Sequence, residues 1–332
     1  MGDDLRPWRE QAQDSHLLRA VAHWTDDSGK WLEAALPRLF ETIRINPLRR
    51  EFRWTQKQIL EMGAQKIEWC PNGWVMPWVR GSIPQIHREL FIALHETGRI
   101  TRQEAVSMIP SLLLDISNDD IVLDMCASPG SKSTHIAEIL QGSGAVIAND
   151  VSKKRTNTLV ANAQRISLPN IIIVQHDGRH IPKIPGEGYD AILVDAPCTG
   201  SATTRKNPDV WTKWLPSAGK KLHSLQLDLL SRAIKISRPG SVIVYSTCSL
   251  DPIENEAVIS KILEKEEGIE IEKIDSEKLS GLNYRNGMTN WVVLDDKINP
   301  TNDEQFEVSK NIKIQKMLEN CIRIHQDESG HG

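Results

Sequence analysis

The stretch that most constrains this chain runs from Ile121 to Ser133 and reads Ile-Val-Leu-Asp-Met-Cys-Ala-Ser-Pro-Gly-Ser-Lys-Ser. The apolar run Ile121 to Leu123 predicts a buried strand. It ends on an acid, Asp124, and the small residues Ala127 to Ser131 predict a tight turn. Ile136, Ala137, Ile139 and Leu140 then recur at helical spacing. Strand, tight loop and helix open a nucleotide-type α/β site, where a ligand sits beyond the carboxyl ends of the strands.

The rest of the chain extends this pattern. Strands are predicted at 121–125, 145–149, 171–175, 190–194 and 241–246, with helices at 132–140, 152–166, 219–236 and 253–265. Asp251-Pro252 suits the start of the last helix, an N-cap acid before a proline. Short apolar strands alternating with helices imply a parallel, doubly wound sheet. Upstream, Thr42 to Asn46 alternates like a half-exposed strand. It leads into Arg44, Arg49, Arg50 and Arg53 interleaved with Phe52 and Trp54. Packing of the aromatics under a solvated arginine rim is the simpler account of that segment alone; an RNA-facing patch is the other. Thr101-Arg102-Gln103-Glu104 fits a capping box for a helix that leads toward the opening strand. Cys321 to Ile324 suits a late strand.

Composition narrows the classes. At 332 residues, two domains are expected. A net charge of -4 excludes a polycation but not a local basic patch. Five scattered cysteines without a CxxC pair argue against a disulfide framework or a zinc site and for a reducing cytoplasm. The polar, acidic start Met1 to Arg6 is no signal peptide, and no apolar run approaches a membrane span.

The chemistry collects at strand ends. The first strand leads to Cys126–Ser133. The second ends in Asn149-Asp150, about twenty residues on, where an acid can accept from ribose hydroxyls. Asp177 follows the third and could bond an adenine amino group; a plain turn acid is its bland alternative. The fourth gives Asp195-Ala-Pro-Cys198-Thr-Gly200 and the fifth Tyr245-Ser-Thr-Cys248-Ser249. One strand-end cysteine is usually a small hydrophobe; two in polar loops point to chemistry. A Walker loop fails because Ser131 separates Gly130 from Lys132, and a GxGxxG fails because the loop has one glycine. S-adenosylmethionine, which has no phosphate, suits what remains.

The runs Asp124-Met-Cys-Ala-Ser-Pro-Gly-Ser-Lys132, Asp195-Ala-Pro-Cys198, Arg205-Lys-Asn-Pro-Asp-Val-Trp211 and Tyr245-Ser-Thr-Cys248-Ser-Leu-Asp-Pro-Ile-Glu-Asn-Glu256 resemble the RNA cytosine-5 methyltransferases of the NSUN/RsmB/RsmF type. Arg102 to Pro110, with Lys206-Asn207 and Asp209 to Trp211, is similar to the tRNA-modifying branch and its archaeal relatives. The resemblance covers about residues 40 to 326. It implies a Rossmann-like S-adenosylmethionine-dependent methyltransferase sheet with a small N-terminal α/β RNA-binding extension. The division expected is a helical segment at 1–40, the extension at 41–100, a bridging helix at 101–118 and the methyltransferase domain at 119–332.

By resemblance, Cys248 is the nucleophile, Cys198 assists breakdown of the adduct, and Asp195 bonds the cytosine edge with Lys132 beside it. S-adenosyl-L-methionine would contact Cys126, Ala127, Ser128, Pro129, Gly130, Ser131, Lys132, Asp150, Asp177 and Asp195. Arg44, Arg49, Arg50, Arg53, Arg205 and Lys206 would face RNA, expected to be tRNA. No metal and no membrane are expected, and the protein is read as a cytoplasmic monomer. Two departures stand out. Ser201-Ala202 replace the family's usual acidic or glycine pair. The glycine-aromatic strand that normally follows Cys321 to His325 is not seen, so the sheet is expected to lack its final strand. An rRNA or DNA cytosine-5 methyltransferase, or an inactive RNA- or cofactor-binding protein, remain the competing readings.

Overall fold

The computed structural model describes residues 6–329. Met1 to Leu5, on which most of the signal-peptide reading rests, and Gly330 to Gly332 lie outside the described residues. Three short helices, Arg6–Gln13, His16–Val21 and Ser28–Ala35, come first. Ser15 and Asp27 cap the second and third by accepting from Leu18 N and Lys30 N. Trp24, in the turn after the second helix, and Trp31 of the third pack edge-on against Trp214 and Trp211 at centroid distances of 5.6 and 5.5 Å.

A small antiparallel sheet follows, made of β1 (Phe40–Ile45), β2 (Gln65–Lys66), β3 (Gly73–Val79) and β4 (Ile100–Arg102), in the order β2-β3-β1-β4. Helices Phe52–Glu61 and Gln85–Glu96 cover it. The half-exposed strand expected at 42–46 is buried throughout Glu41 to Ile45. Ile43 and Ile45 enter the core of the small sheet. The polar half of the alternation faces protein instead of water: Thr42 Oγ1 donates to Gln103 O, and Arg44 reaches Glu138. The capping box at Thr101 is also corrected. Thr101 lies inside β4, paired with Arg44 of β1. Only a 3-10 turn, Val106–Met108, and the short helix Ile109–Leu112 lead onward, so the 101–118 bridge is no continuous helix.

The central sheet is parallel: β5 (Ile121–Asp124), β6 (Ala145–Asn149), β7 (Ile171–Val174), β8 (Tyr189–Asp195) and β9 (Ser237–Ser246), in the order β7-β6-β5-β8-β9. Helices Ser131–Ile139, Lys153–Ile166 and Pro216–Ile236 make the crossovers. Strand order reverses between β5 and β8, which is the Rossmann-like switch point where such sheets take ligands. β9 begins earlier than expected. Ser237 pairs with Tyr189, a bulge at Pro239-Gly240 follows, and regular pairing resumes at Val242.

The helix expected at 253–265 is broken at its entry. Asp251 caps a 3-10 turn, Pro252–Glu254, and the helix proper is Glu256–Lys265. Asn255 takes φ -120, ψ -99 because its side chain bonds Thr247 Oγ1 and the carbonyls of Ser249 and Asp251. The late strand exists as β11 (Ile322–Arg323), but it pairs with β10 (Arg285–Asn286) in a separate two-stranded sheet. Among the described residues the central sheet ends at β9.

Candidate active site

The site forms where β5, β8 and β9 end side by side. Gly130 makes the turn after β5 with φ +105, and a Cβ there would lie 2.7 Å from Leu159 Cδ1. The turn therefore needs glycine both for its backbone angle and for its close approach to the helix Lys153–Ile166. The helix Ser131–Ile139 starts at once, leaving its first backbone amides without intrahelical acceptors at the loop. Below it Asp124 is fully buried and accepts from Ser133 Oγ at 2.6 Å. Burial pushes the Asp124 carboxyl up to about 7, against the Ser133 hydrogen bond.

Lys132 Nζ donates to Asp195 Oδ2 at 2.8 Å, and Ser246 Oγ donates to Asp195 Oδ1 at 2.8 Å. Burial acts to lower the Lys132 ammonium, but the Asp195 carboxylate outweighs it and the net direction is up. The two thiols meet across the strand ends, with Cys198 Sγ 3.2 Å from Cys248 Sγ. The hydrogen bond between them lowers Cys248, helped by the Lys132 charge and opposed by burial and Asp195. The same bond raises Cys198 well above its usual value, with burial and Glu254 adding to the effect. Cys248 is thus the more readily ionised of the two thiols and Cys198 the one held protonated. Burial drives the Cys126 thiol well up, which makes it a poor nucleophile.

A cleft of 1590 Å³ brings together the 126–132 loop, Asp195, Thr203, Lys206 and Cys248. It runs on along the open side of β9, past Val242, Val244 and Ile259, so it exceeds what one small ligand fills. Asp150 and Asp177 do not line this cleft, though they end the neighbouring strands. Asn149 Nδ2 ties those ends together by donating to Met125 O and His176 O. Asp150 is buried: Oδ1 accepts from Ser152 N, while Oδ2 has no hydrogen-bond partner and lies 3.3 Å from Arg155. A buried carboxylate oxygen that accepts no hydrogen bond, with only an ion-pair neighbour, fits a ligand hydroxyl at this strand end. Asp177 is engaged by its own turn, with Arg179 held on both oxygens, and that pair brings its carboxyl down to about 2.

Of the arginines expected to face RNA, Arg44 is a correction. It is 0% exposed. Its guanidinium donates to Glu138 Oε2 at 2.6 Å and to Oε1 at 3.1 Å, and also to Gln103, so it joins the small sheet to the helix Ser131–Ile139. The sequence pattern could not separate it from its neighbours, because an arginine on the polar side of a strand looks the same over water or over another layer. Arg49 is half-buried and donates to Arg165 O. Arg50 and Arg53 are exposed, beside Trp54 at 44% exposure, with Arg99 5.5 Å above the Trp54 ring. Arg205 Nε donates to Pro37 O, and Lys206 Nζ lies 3.8 Å from Glu104. Sequence reasoning passed over Ser246 and gave Glu254 no role, although both lie within the runs that carry the resemblance.

The family model for 16S rRNA methyltransferase RsmB/F matches residues 111–307. The chain is 37% identical over 268 residues to the multisite-specific tRNA:(cytosine-C(5))-methyltransferase of Saccharomyces cerevisiae, covering 73% of this chain and 39% of that protein. It is 35% identical over 306 residues to the tRNA (cytosine(34)-C(5))-methyltransferase of Drosophila melanogaster, covering 80% and 41%. The chain therefore spans about two-fifths of these curated relatives. A solved methyltransferase homolog protein from Pyrococcus horikoshii superposes with a TM-score of 0.73 at 27% identity, over 99% of this chain and 97% of that one.

Proposed function

The chain belongs to the RsmB/F methyltransferase family, and we propose that it methylates carbon 5 of cytosine in RNA, with tRNA as the substrate. The observation that carries this reading is the thiol pair, 3.2 Å apart, with Cys248 the more readily ionised, beside the Lys132–Asp195 pair. Carbon 5 of cytosine is a weak nucleophile. Attack of Cys248 at carbon 6 makes it enamine-like. Asp195, held by Lys132 and Ser246, bonds the polar edge of the base. A base then takes the carbon 5 proton, the released electron pair restores the ring double bond, and Cys248 leaves as a thiolate, with Cys198 assisting that breakdown. S-adenosylmethionine supplies the electrophilic methyl group. The 126–132 loop would hold it, with Asp150 taking ribose hydroxyls; Asp177 would need to share its carboxylate with Arg179. The base must be turned out of its stack to reach the thiols.

In this reading residues 41–100 present Arg50, Arg53 and a partly occupied Arg49 to RNA, while Arg205 and Lys206 flank the cleft. Residues 119–332 carry the chemistry, 101–118 join the two, and within the 1–40 segment the stretch from Ala12 to Leu36 braces the loop after β8. The five free cysteines suit a reducing cytoplasm. Among the described residues no helix is long and apolar enough to cross a membrane, and no group of three or more His, Cys, Asp or Glu is placed to hold a metal. The reading takes a monomer, which sedimentation tests.

Tritiated methyl transfer to unmodified tRNA, rRNA and DNA, followed by bisulfite mapping, tests the substrate. Cys248→Ala should abolish both methylation and the covalent adduct. Cys198→Ala should leave a protein–RNA complex that survives a denaturing gel. An adduct in Cys248→Ala and none in Cys198→Ala would reverse the two roles.

A further inference from the structure

Glu254 has no exposed surface and follows the second cysteine by six residues, yet no step of the reaction uses it. Its carboxylate is saturated. Oε1 accepts from Thr199 N at 2.9 Å and from Gln226 Nε2 at 3.1 Å. Oε2 accepts from the hydroxyls of Thr199 and Ser249. Thr199 directly follows Cys198, and Ser249 directly follows Cys248. Four donors on two oxygens fix its orientation. The surrounding groups reinforce the tie: Trp214 Nε1 donates to Thr199 Oγ1, Ser249 Oγ lies 3.0 Å from Ser201 Oγ, and Gln226 also holds Pro197 O.

We propose that Glu254 is a positioning residue for the thiol pair, bonding the residue after each cysteine with one carboxylate and so setting the distance between the two sulfurs. The cysteines lie on loops from two different strands, so nothing in either loop alone determines that distance. Bonds from Ala202 N to the carbonyl of Cys248 itself and from Leu250 N to Ser201 Oγ also join the loops, but on the Cys198 side they attach three or more residues on, beyond Gly200. Glu254 acts next to both sulfurs. Its charge also helps hold Cys198 protonated. The entry break at Asn255 serves the same end: a regular helix from Ile253 would carry Glu254 along the helix instead of back onto the loops.

The inference rests on the proposed roles of the thiols, so its test uses neither RNA nor methyl donor. Diamide oxidises two adjacent thiols to a disulfide and is itself reduced to the hydrazine. The rate of Cys198–Cys248 disulfide formation, read by peptide mapping of the full chain, therefore reports sulfur spacing. Glu254→Asp keeps the charge but shortens the reach; Glu254→Gln keeps the length but loses the charge. Both should slow the crosslink, about tenfold or more for a misplacement near 1 Å. In a Cys248→Ala background, Glu254→Gln should lower the pH midpoint for alkylation of Cys198, whereas Glu254→Asp should leave it in place. If the chain proves to methylate RNA, both variants should lower kcat and leave KM for RNA near wild type. Wild-type crosslinking with an unmoved midpoint would overturn the proposal. So would loss of cooperative unfolding in both variants, which would make Glu254 a structural residue.

Discussion

Asp124 lies fully buried beneath the loop after β5, and burial lifts its carboxyl from an ordinary 3.8 to about 7. A raised value means that the folded state binds the proton more tightly than the unfolded chain. The resulting stability is fully present below about pH 4 and is lost as pH rises toward 7. Asp124→Asn keeps the acceptor for Ser133 and removes the charge. Denaturant unfolding should show wild type losing stability relative to the variant across that window, by roughly a few kcal/mol at neutral pH. Asp251, also lifted to about 7 by burial, titrates in the same range but cancels in the comparison. Parallel curves for the two proteins would show that Asp124 stays ionised. Cys248 is the opposite case, a thiol brought down by a neighbouring thiol and a nearby ammonium. Lys132→Met should therefore raise the pH midpoint of Cys248 alkylation, measured in a Cys198→Ala background to isolate the charge effect.

Two elements meet at Arg44, where β1 lies against the helix Ser131–Ile139. The guanidinium and the Glu138 carboxylate are both out of solvent, so each charge depends on the other. Removing one partner strands the other, at a cost of about 3–5 kcal/mol. Arg44→Met should lower unfolding stability by that order, and Arg44→Met with Glu138→Leu should recover most of it. Equal losses in the single and double variants would refute the account. The same helix carries Lys132 at its start, so the pair fixes the small sheet to the element that bears the lysine paired with Asp195. Arg165 strengthens the joint from the next helix, donating to His95 O at 2.7 Å and Ile100 O at 3.2 Å.

Across the whole molecule, the small sheet, the helical start and the central sheet together frame the cleft. Arg50 and Arg53 are exposed on the small sheet's covering helix and its entry, and Lys206 is exposed beside the cleft. If these contact phosphates, tRNA affinity should fall steeply with salt, and Arg50→Ala with Arg53→Ala should reduce the slope of log K against log salt by about 1 per contact. A slope unchanged by the double variant would remove them from the RNA path. The sequence by itself determined the parallel sheet, the loop after β5 and the two cysteine loops, because local periodicity and turn chemistry act within a few residues. It also marked Lys132, Asp195, Cys198 and Cys248 through runs that are contiguous. Tertiary structure alone decided that Arg44 is a buried joint, that Thr101 belongs to a strand, that Ile322–Arg323 pairs outside the central sheet, and that Glu254 folds back onto both cysteine loops. Each of these depends on what a side chain faces across residues far apart in the chain, and no local pattern encodes the layer opposite.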